Sequence, residues 1–270
     1  MSKGKAIAVA AIKGGVGKTT TIVNIAHILA NDHNKKVLVI DANFSSPNLN
    51  LHLGAIENDK SIHHLLNNNE KLHNVICEHS FGFHFIPTDI TKLNSNQHKL
   101  KNIVNELKNH YDVILLDSAP SPKDEMLAAI DAADELYVVS TPDLPTLTST
   151  LKTAKLARQN NTKVSGLILN KVKNKNYELK PESMEKLTGI KLVATIKDSV
   201  RVLESLNSIR PVSLLNPNSD VSLEYKKLAA LMVNASYENP KWHIRALGYL
   251  KDDFKNLTTH KFSKGLSYFK

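Results

Sequence analysis

The sequence predicts an α/β fold in which a mainly parallel sheet is covered by helices on both faces. Three observations predict it. Short apolar runs recur at Ala6 to Ile12, Lys36 to Ile40 and Val113 to Leu116, with the composition of strands buried on both faces. Stretches with helical periodicity separate these runs. Two of the runs end in a carboxylate, Asp41 and Asp117, and the carboxyl ends of parallel strands face the ligand crevice of such a sheet.

The first strand, Ala6 to Ile12, runs into Lys13-Gly14-Gly15-Val16-Gly17-Lys18-Thr19-Thr20, and a helical run follows to Ala30. Strand, glycine-rich turn and helix is the context a phosphate-binding loop needs. Glycines let backbone N–H groups close around an anion at the positive end of a helix. The residues from Gly14 through Gly15, Val16, Gly17, Lys18 and Thr19 to Thr20 are therefore the candidate nucleotide-binding segment. Lys18 is placed between the β- and γ-phosphates and the Thr19 hydroxyl on Mg²⁺. The common loop spacing asks for a glycine where Ile12 stands, and a second lysine, Lys13, precedes the glycine pair.

This form resembles the deviant phosphate loop of the ParA/MinD family of ATPases. The resemblance implies a P-loop NTPase fold, ATP and Mg²⁺ as cofactors, ATP hydrolysis and a homodimer formed on ATP binding. It also implies that Lys13 reaches the nucleotide of the other subunit. Catalytic roles then fall to Lys13, Lys18 and Asp41.

The second strand ends at Asp41-Ala42-Asn43. Relatives carry two aspartates there, two residues apart, the second orienting the attacking water. Asp41 matches the first, whereas Asn43 can hold a water but not take its proton, so hydrolysis is expected to be slow. Pro47-Asn48-Leu49-Asn50-Leu51-His52-Leu53-Gly54 is similar to a segment of the MinD branch, and the Pro-Gln-Gly-Asn run of plasmid-type ParA proteins is absent. Residues 55–80 are polar, with one helix expected at Ser61 to Leu66. The four histidines between 52 and 73 are expected to be solvated rather than to bind a metal.

Phe81 to Ile86 reads as a strand and Gln97 to Asn109 as a helix. The strand from Tyr111 ends at Asp117, the form of an aspartate that holds Mg²⁺ through water. Metal ligation is thus assigned to Thr19 and Asp117. Ser121 stands where relatives have a glycine that turns its N–H toward the γ-phosphate, a second departure on the hydrolytic side. Glu135 to Ser140 is another strand, and Asp143 with Pro145 starts a helix running to Arg158. Lys163 to Leu169 delivers Asn170, which by resemblance meets the adenine edge. Helix Pro181 to Leu187, strand Lys191 to Ile196 and a helix capped by Ser219 or Asp220, running to about Ser236, complete the resemblance.

These elements place an ATPase domain at 1–236 and an amphipathic tail at 237–270. In the tail Leu247, Leu250, Phe254 and Leu257 form a narrow stripe flanked by Lys251 and Lys255. The stripe suits either an anionic membrane surface or packing on the domain or a partner. No signal peptide or bilayer-length apolar run is predicted, so the expected location is cytoplasmic, with peripheral docking at the inner face of the membrane as the tail's option. A single cysteine, Cys77, excludes an intramolecular disulfide and the iron–sulfur relatives with similar loops. Residues 1–150 carry 13 basic and 16 acidic side chains, net −3, and residues 151–270 carry 22 and 10, net +12. That asymmetry leaves open DNA or a lipid surface as a partner, beside an unidentified activating protein.

Overall fold

The computed structural model describes residues 3–55, 60–67, 70–89, 91 and 96–238. The tail reading therefore lies outside the described residues from 239 onward. In chain order the elements are β1 (Lys5–Ala10), α1 (Lys18–Asn31), β2 (Val37–Ala42), α2 (Leu49–Leu53), α3 (Ile62–Leu66), β3 (Cys77–Glu78), β4 (His84–Ile86), α4 (Leu100–Leu107) and β5 (Val113–Ser118). They continue with α5 (Asp124–Ala132), β6 (Glu135–Ser140), α6 (Leu144–Gln159), β7 (Lys163–Val172), α7 (Pro181–Thr188), β8 (Leu192–Lys197), α8 (Val200–Asn207), α9 (Val212–Leu215) and α10 (Asp220–Met232).

The strands form one sheet in the order β3-β4-β2-β5-β1-β6-β7-β8. Every neighbouring pair is parallel except β3 with β4. This is the expected mainly parallel sheet covered on both faces. Period-2 alternation divides each central strand between two cores. Ala6, Ala8 and Ala10 of β1 face Met126, Ala129, Ala154 and Ala157 of α5 and α6. Ile7 and Val9 face the other way, into a core shared with Ile22, Ile25 and Leu29 of α1 and Leu228 of α10. The small residues of β1 thus meet α5, and the branched ones pack under α1.

Three expectations need correction. Phe81 to Ile86 is not all strand, because its first half turns a hairpin. Gly82 has φ 91, its N–H donates to the His79 carbonyl at 3.0 Å, and only His84–Ile86 pairs with β2. That hairpin brings in β3, an antiparallel edge strand in a stretch read as polar coil. The sequence reading places no element at α5, although Met126, Ala129 and Ile130 are buried at helical spacing. The histidines are not uniformly solvated either. His63 is fully buried and lies edge-on to the Phe44 ring at 5.9 Å, and His64 completes the capping box at Ser61.

Candidate functional site

The phosphate loop leaves β1 at its carboxyl end and enters α1. Gly15 (φ 74) and Gly17 (φ 97) take left-handed backbone conformations that other residues adopt only at a cost. Helix α1 has no side-chain cap and no acidic residue in its first turn, so its positive end is left for an external anion. The loop opens into a cleft of about 450 Å³ that also reaches Asn43, Asp117 and Asn170.

Asp117 on β5 stands beside Asp41 on β2 in the strand register. The Thr19 hydroxyl donates to Asp117 Oδ2 at 2.5 Å, while Asp117 Oδ1, shielded from solvent, has no partner. A hydroxyl next to an orphaned carboxylate oxygen is the hard oxygen donor set that a small divalent cation takes. The residues present thus fit Mg²⁺, with Thr19 and Asp117 as its protein-side groups. Lys18 is buried behind them, only 8% exposed. Burial pushes its ammonium pKa down, and the charges of Asp117 and Asp41 resist that shift. Burial also pushes the Asp117 carboxyl up, against the Thr19 hydrogen bond and the Lys18 charge.

Asp41 has a different geometry. Its Oδ1 accepts the Asn43 N–H at 2.9 Å, and its Oδ2 accepts the N–H groups of Asn48 and Leu49, both at 3.0 Å. Both oxygens therefore hold the segment between β2 and α2. Burial and then the neighbouring Asp117 push the Asp41 carboxyl up to about 7, against those three hydrogen bonds. An unfolded aspartate releases its proton near 3.8, so between that value and about 7 the folded chain holds a proton the unfolded chain has lost. Stability of the nucleotide-free protein should then fall as pH rises through this window. Thermal melts across it are expected to show the decline, and Asp41→Asn should make the slope shallower. An unchanged slope would exclude Asp41 as its source.

Asn43 is tied into the same segment. Its N–H goes to Asp41, and its side-chain amide donates to the Ser46 carbonyl, leaving its own carbonyl oxygen as an acceptor. Ser121 does not line the cleft, whereas Ser118 and Pro120 do.

Lys13 points away from its own cleft. Its Nζ lies 3.2 Å from Asp143 Oδ1 and 2.6 Å from Thr146 Oγ1, at the start of α6. Asp143 caps that helix as the sequence suggested, accepting the Thr146 N–H at 2.9 Å. Burial pushes the Asp143 carboxyl up, but hydrogen bonds from Thr141 and Thr146, together with Lys13, hold it at about 2. Lys13 is 43% exposed and Asp143 39%, so the ion pair contributes at most about 1 kcal/mol and opens readily.

Asn170, at the end of β7, braces the loop from beneath. Its Nδ2 donates to the Val16 carbonyl at 2.8 Å, and its Oδ1 accepts the Lys171 N–H at 2.9 Å. One amide hydrogen and one oxygen lone pair remain to meet a base. Sequence reasoning missed His52, Leu206 and Tyr225 as cleft residues, because no spacing rule links positions so far apart to one wall.

The loop after β7 carries Lys173 and Lys175 and meets two exposed or half-buried acids. Glu178 accepts the N–H of Lys173 at 3.0 Å, and Lys173 Nζ lies 3.6 Å from Asp198. Among the described residues no cluster of His, Cys, Asp and Glu has metal-binding geometry, and no helix is long and apolar enough to cross a membrane.

A family model described as an AAA domain matches residues 4–165. An uncharacterised ATP-binding protein of Methanocaldococcus jannaschii is 27% identical over 259 residues, covering 95% of this chain and 94% of that protein. A putative septum site-determining protein MinD of Emiliania huxleyi is 30% identical over 238 residues, covering 84% and 86%. The solved structure of the septum site-determining protein MinD of Pyrococcus horikoshii, complexed with Mg-ADP, matches with a TM-score of 0.79 at 26% identity, covering 84% of this chain and 95% of that one. With the lysine-flanked glycine loop and the Thr19 and Asp117 pair at the carboxyl edge of a parallel sheet, the chain belongs to the ParA/MinD family of P-loop ATPases and is MinD-like.

Proposed function

We propose that this chain is a cytoplasmic ATPase that binds ATP with Mg²⁺, closes into a nucleotide-bridged homodimer and uses the cycle to position a cell-division or surface structure. The observation that carries this reading is the constellation of buried Lys18 and Asp117 with Thr19, whose orphaned carboxylate oxygen on Asp117 suits a hydrated cation. The solved relative complexed with Mg-ADP supports the choice of ligand.

The loop amides from Gly14 to Thr20 receive the phosphates, and Lys18 neutralises charge on the transferred phosphoryl group. Bound Mg²⁺ would supply Lewis-acid stabilisation between Thr19 and Asp117. Asp41 sets the segment that carries Asn43, and Asn170 presents its spare amide hydrogen and lone pair to adenine. Lys13 is parked on Asp143 in the single chain, and exchanging that weak pair for a second subunit's nucleotide drives closure. Residues 237–270 serve as an amphipathic tail for either the inner face of the membrane or packing on the domain or a partner, and an unidentified protein stimulates turnover.

One observation favours a second reading, a nucleotide-gated scaffold with very slow hydrolysis. Asn43 spends one of its two amide hydrogens on the Ser46 carbonyl and carries no group that takes a proton. The net charge of +12 on residues 151–270 keeps ATP-dependent DNA binding as a further alternative.

Size-exclusion chromatography of the full chain with ATP, Mg²⁺ and either liposomes or DNA tests these readings. The wild type is expected to elute as a dimer with ATP and a monomer with ADP, and Lys13→Ala as a monomer with both. A Lys13→Ala dimer of wild-type stability would remove the cross-subunit role, and ATP-dependent co-elution with DNA rather than liposomes would favour the DNA alternative.

A further inference from the structure

His52 lines the nucleotide cleft and plays no part in the reading above. It sits on α2, borders the cleft with Asn43, Asn48 and Asp117, and also faces a narrow recess bounded by Thr20, Asn24 and Leu206. Its Nδ1 lies 2.9 Å from the backbone carbonyl oxygen of Asn48. A carbonyl oxygen only accepts, so Nδ1 carries the hydrogen and the neutral ring has its lone pair on Nε2, the far side of the ring. The same Asn48 gives its N–H to Asp41, so the imidazole is anchored to the segment that Asp41 fixes.

An acceptor at this place selects its ligand. A nucleotide phosphate oxygen is itself an acceptor and gives nothing to a lone pair. Water bound to a divalent cation is a donor, strengthened by the charge of the ion, and Mg²⁺ keeps several such waters whose hydrogens must find acceptors. Asp117 Oδ1 is one orphaned acceptor beside the expected cation, and the anchored imidazole supplies a second from α2.

We propose that His52 is a metal-positioning residue whose Nε2 accepts a hydrogen bond from a water on the Mg²⁺ that accompanies the nucleotide. The proposal rests on the nucleotide-site reading and adds to it a third element, α2, that holds the metal's hydration shell.

The test uses the full chain and a fluorescent ADP analogue, titrated with Mg²⁺ present and again in EDTA. His52→Ala should weaken binding about 10-fold in the magnesium arm, in line with the loss typical of removing an outer-shell partner. Binding in EDTA should stay within about 2-fold, because the phosphates themselves make no contact with the lone pair. His52→Gln, whose amide oxygen again offers an acceptor, should recover most of the loss. An equal loss in both arms would overturn the proposal by showing that His52 serves the phosphates or the fold, and no loss in either arm would overturn it directly. If the wild type binds in neither arm, the nucleotide site itself is refuted, a failure distinct from that of His52 alone.

Discussion

Lys18→Ala should lower the single-turnover rate of ATP hydrolysis by about 10²- to 10³-fold, the scale reported for removing one preorganised group that stabilises transition-state charge. The side chain is almost fully buried, with Asp117 and Asp41 as the charges that oppose its desolvation. An ammonium group already stripped of water needs no reorganisation when negative charge grows on the phosphoryl oxygens. Its removal has a second effect through Asp117. Lys18 is one of the groups holding that carboxyl down, so without it Asp117 keeps its proton to higher pH and competes less well for a cation. Rapid-quench release of phosphate with enzyme in excess measures the rate, and a thermal melt checks the fold. A rate within about 3-fold of wild type, with an intact melt, would remove Lys18 from the hydrolytic machinery.

Gly17→Ala should weaken nucleotide binding by about 30- to 150-fold, corresponding to about 2–3 kcal/mol. Two costs combine. The left-handed backbone at φ 97 costs an alanine about 1–2 kcal/mol. A Cβ at this position would also stand 2.3 Å from Asn170 Nδ2, which cannot swing aside without losing its bond to the Val16 carbonyl, worth about 1 kcal/mol. Gly15→Ala provides the internal control. Gly15 is left-handed too, yet an added Cβ would meet nothing within 4 Å, so only the backbone cost applies. Calorimetric titration of both variants with ADP and Mg²⁺ separates the two contributions. Equal losses at both positions would mean that the brace from Asn170 contributes nothing to the loop.

The parts of the site that could be read in the sequence share one property, that local chemistry dictates them. Gly15 and Gly17 are required by backbone conformation, the apolar strands announce their burial by composition, and Asp143 announces a helix start by standing before Leu144-Pro145. The remainder depends on distant partners. The strand end places Asp41 at the crevice, but its bonds to Asn48 and Leu49 exist only after the chain folds back over β2. The lysine before the glycines meets an aspartate 130 residues away. His63 lies in a polar stretch and yet is buried against Phe44, a contact no periodicity encodes. The hairpin at Gly82 hid within an apolar run because aromatic residues suit a turn packed on a core as well as they suit a strand.

The division of β1 between small and branched side chains also acts as a ruler. Sliding that strand by a single position would drive Ile7 and Val9 into space sized for alanines and leave hollows under α1. No neighbouring alignment is tolerable, so the point at which the glycine turn departs from the sheet is fixed to the residue. A deletion or insertion within Lys5–Ala10 would therefore misplace the anion cradle relative to Asp117 even though every cradle residue were still present.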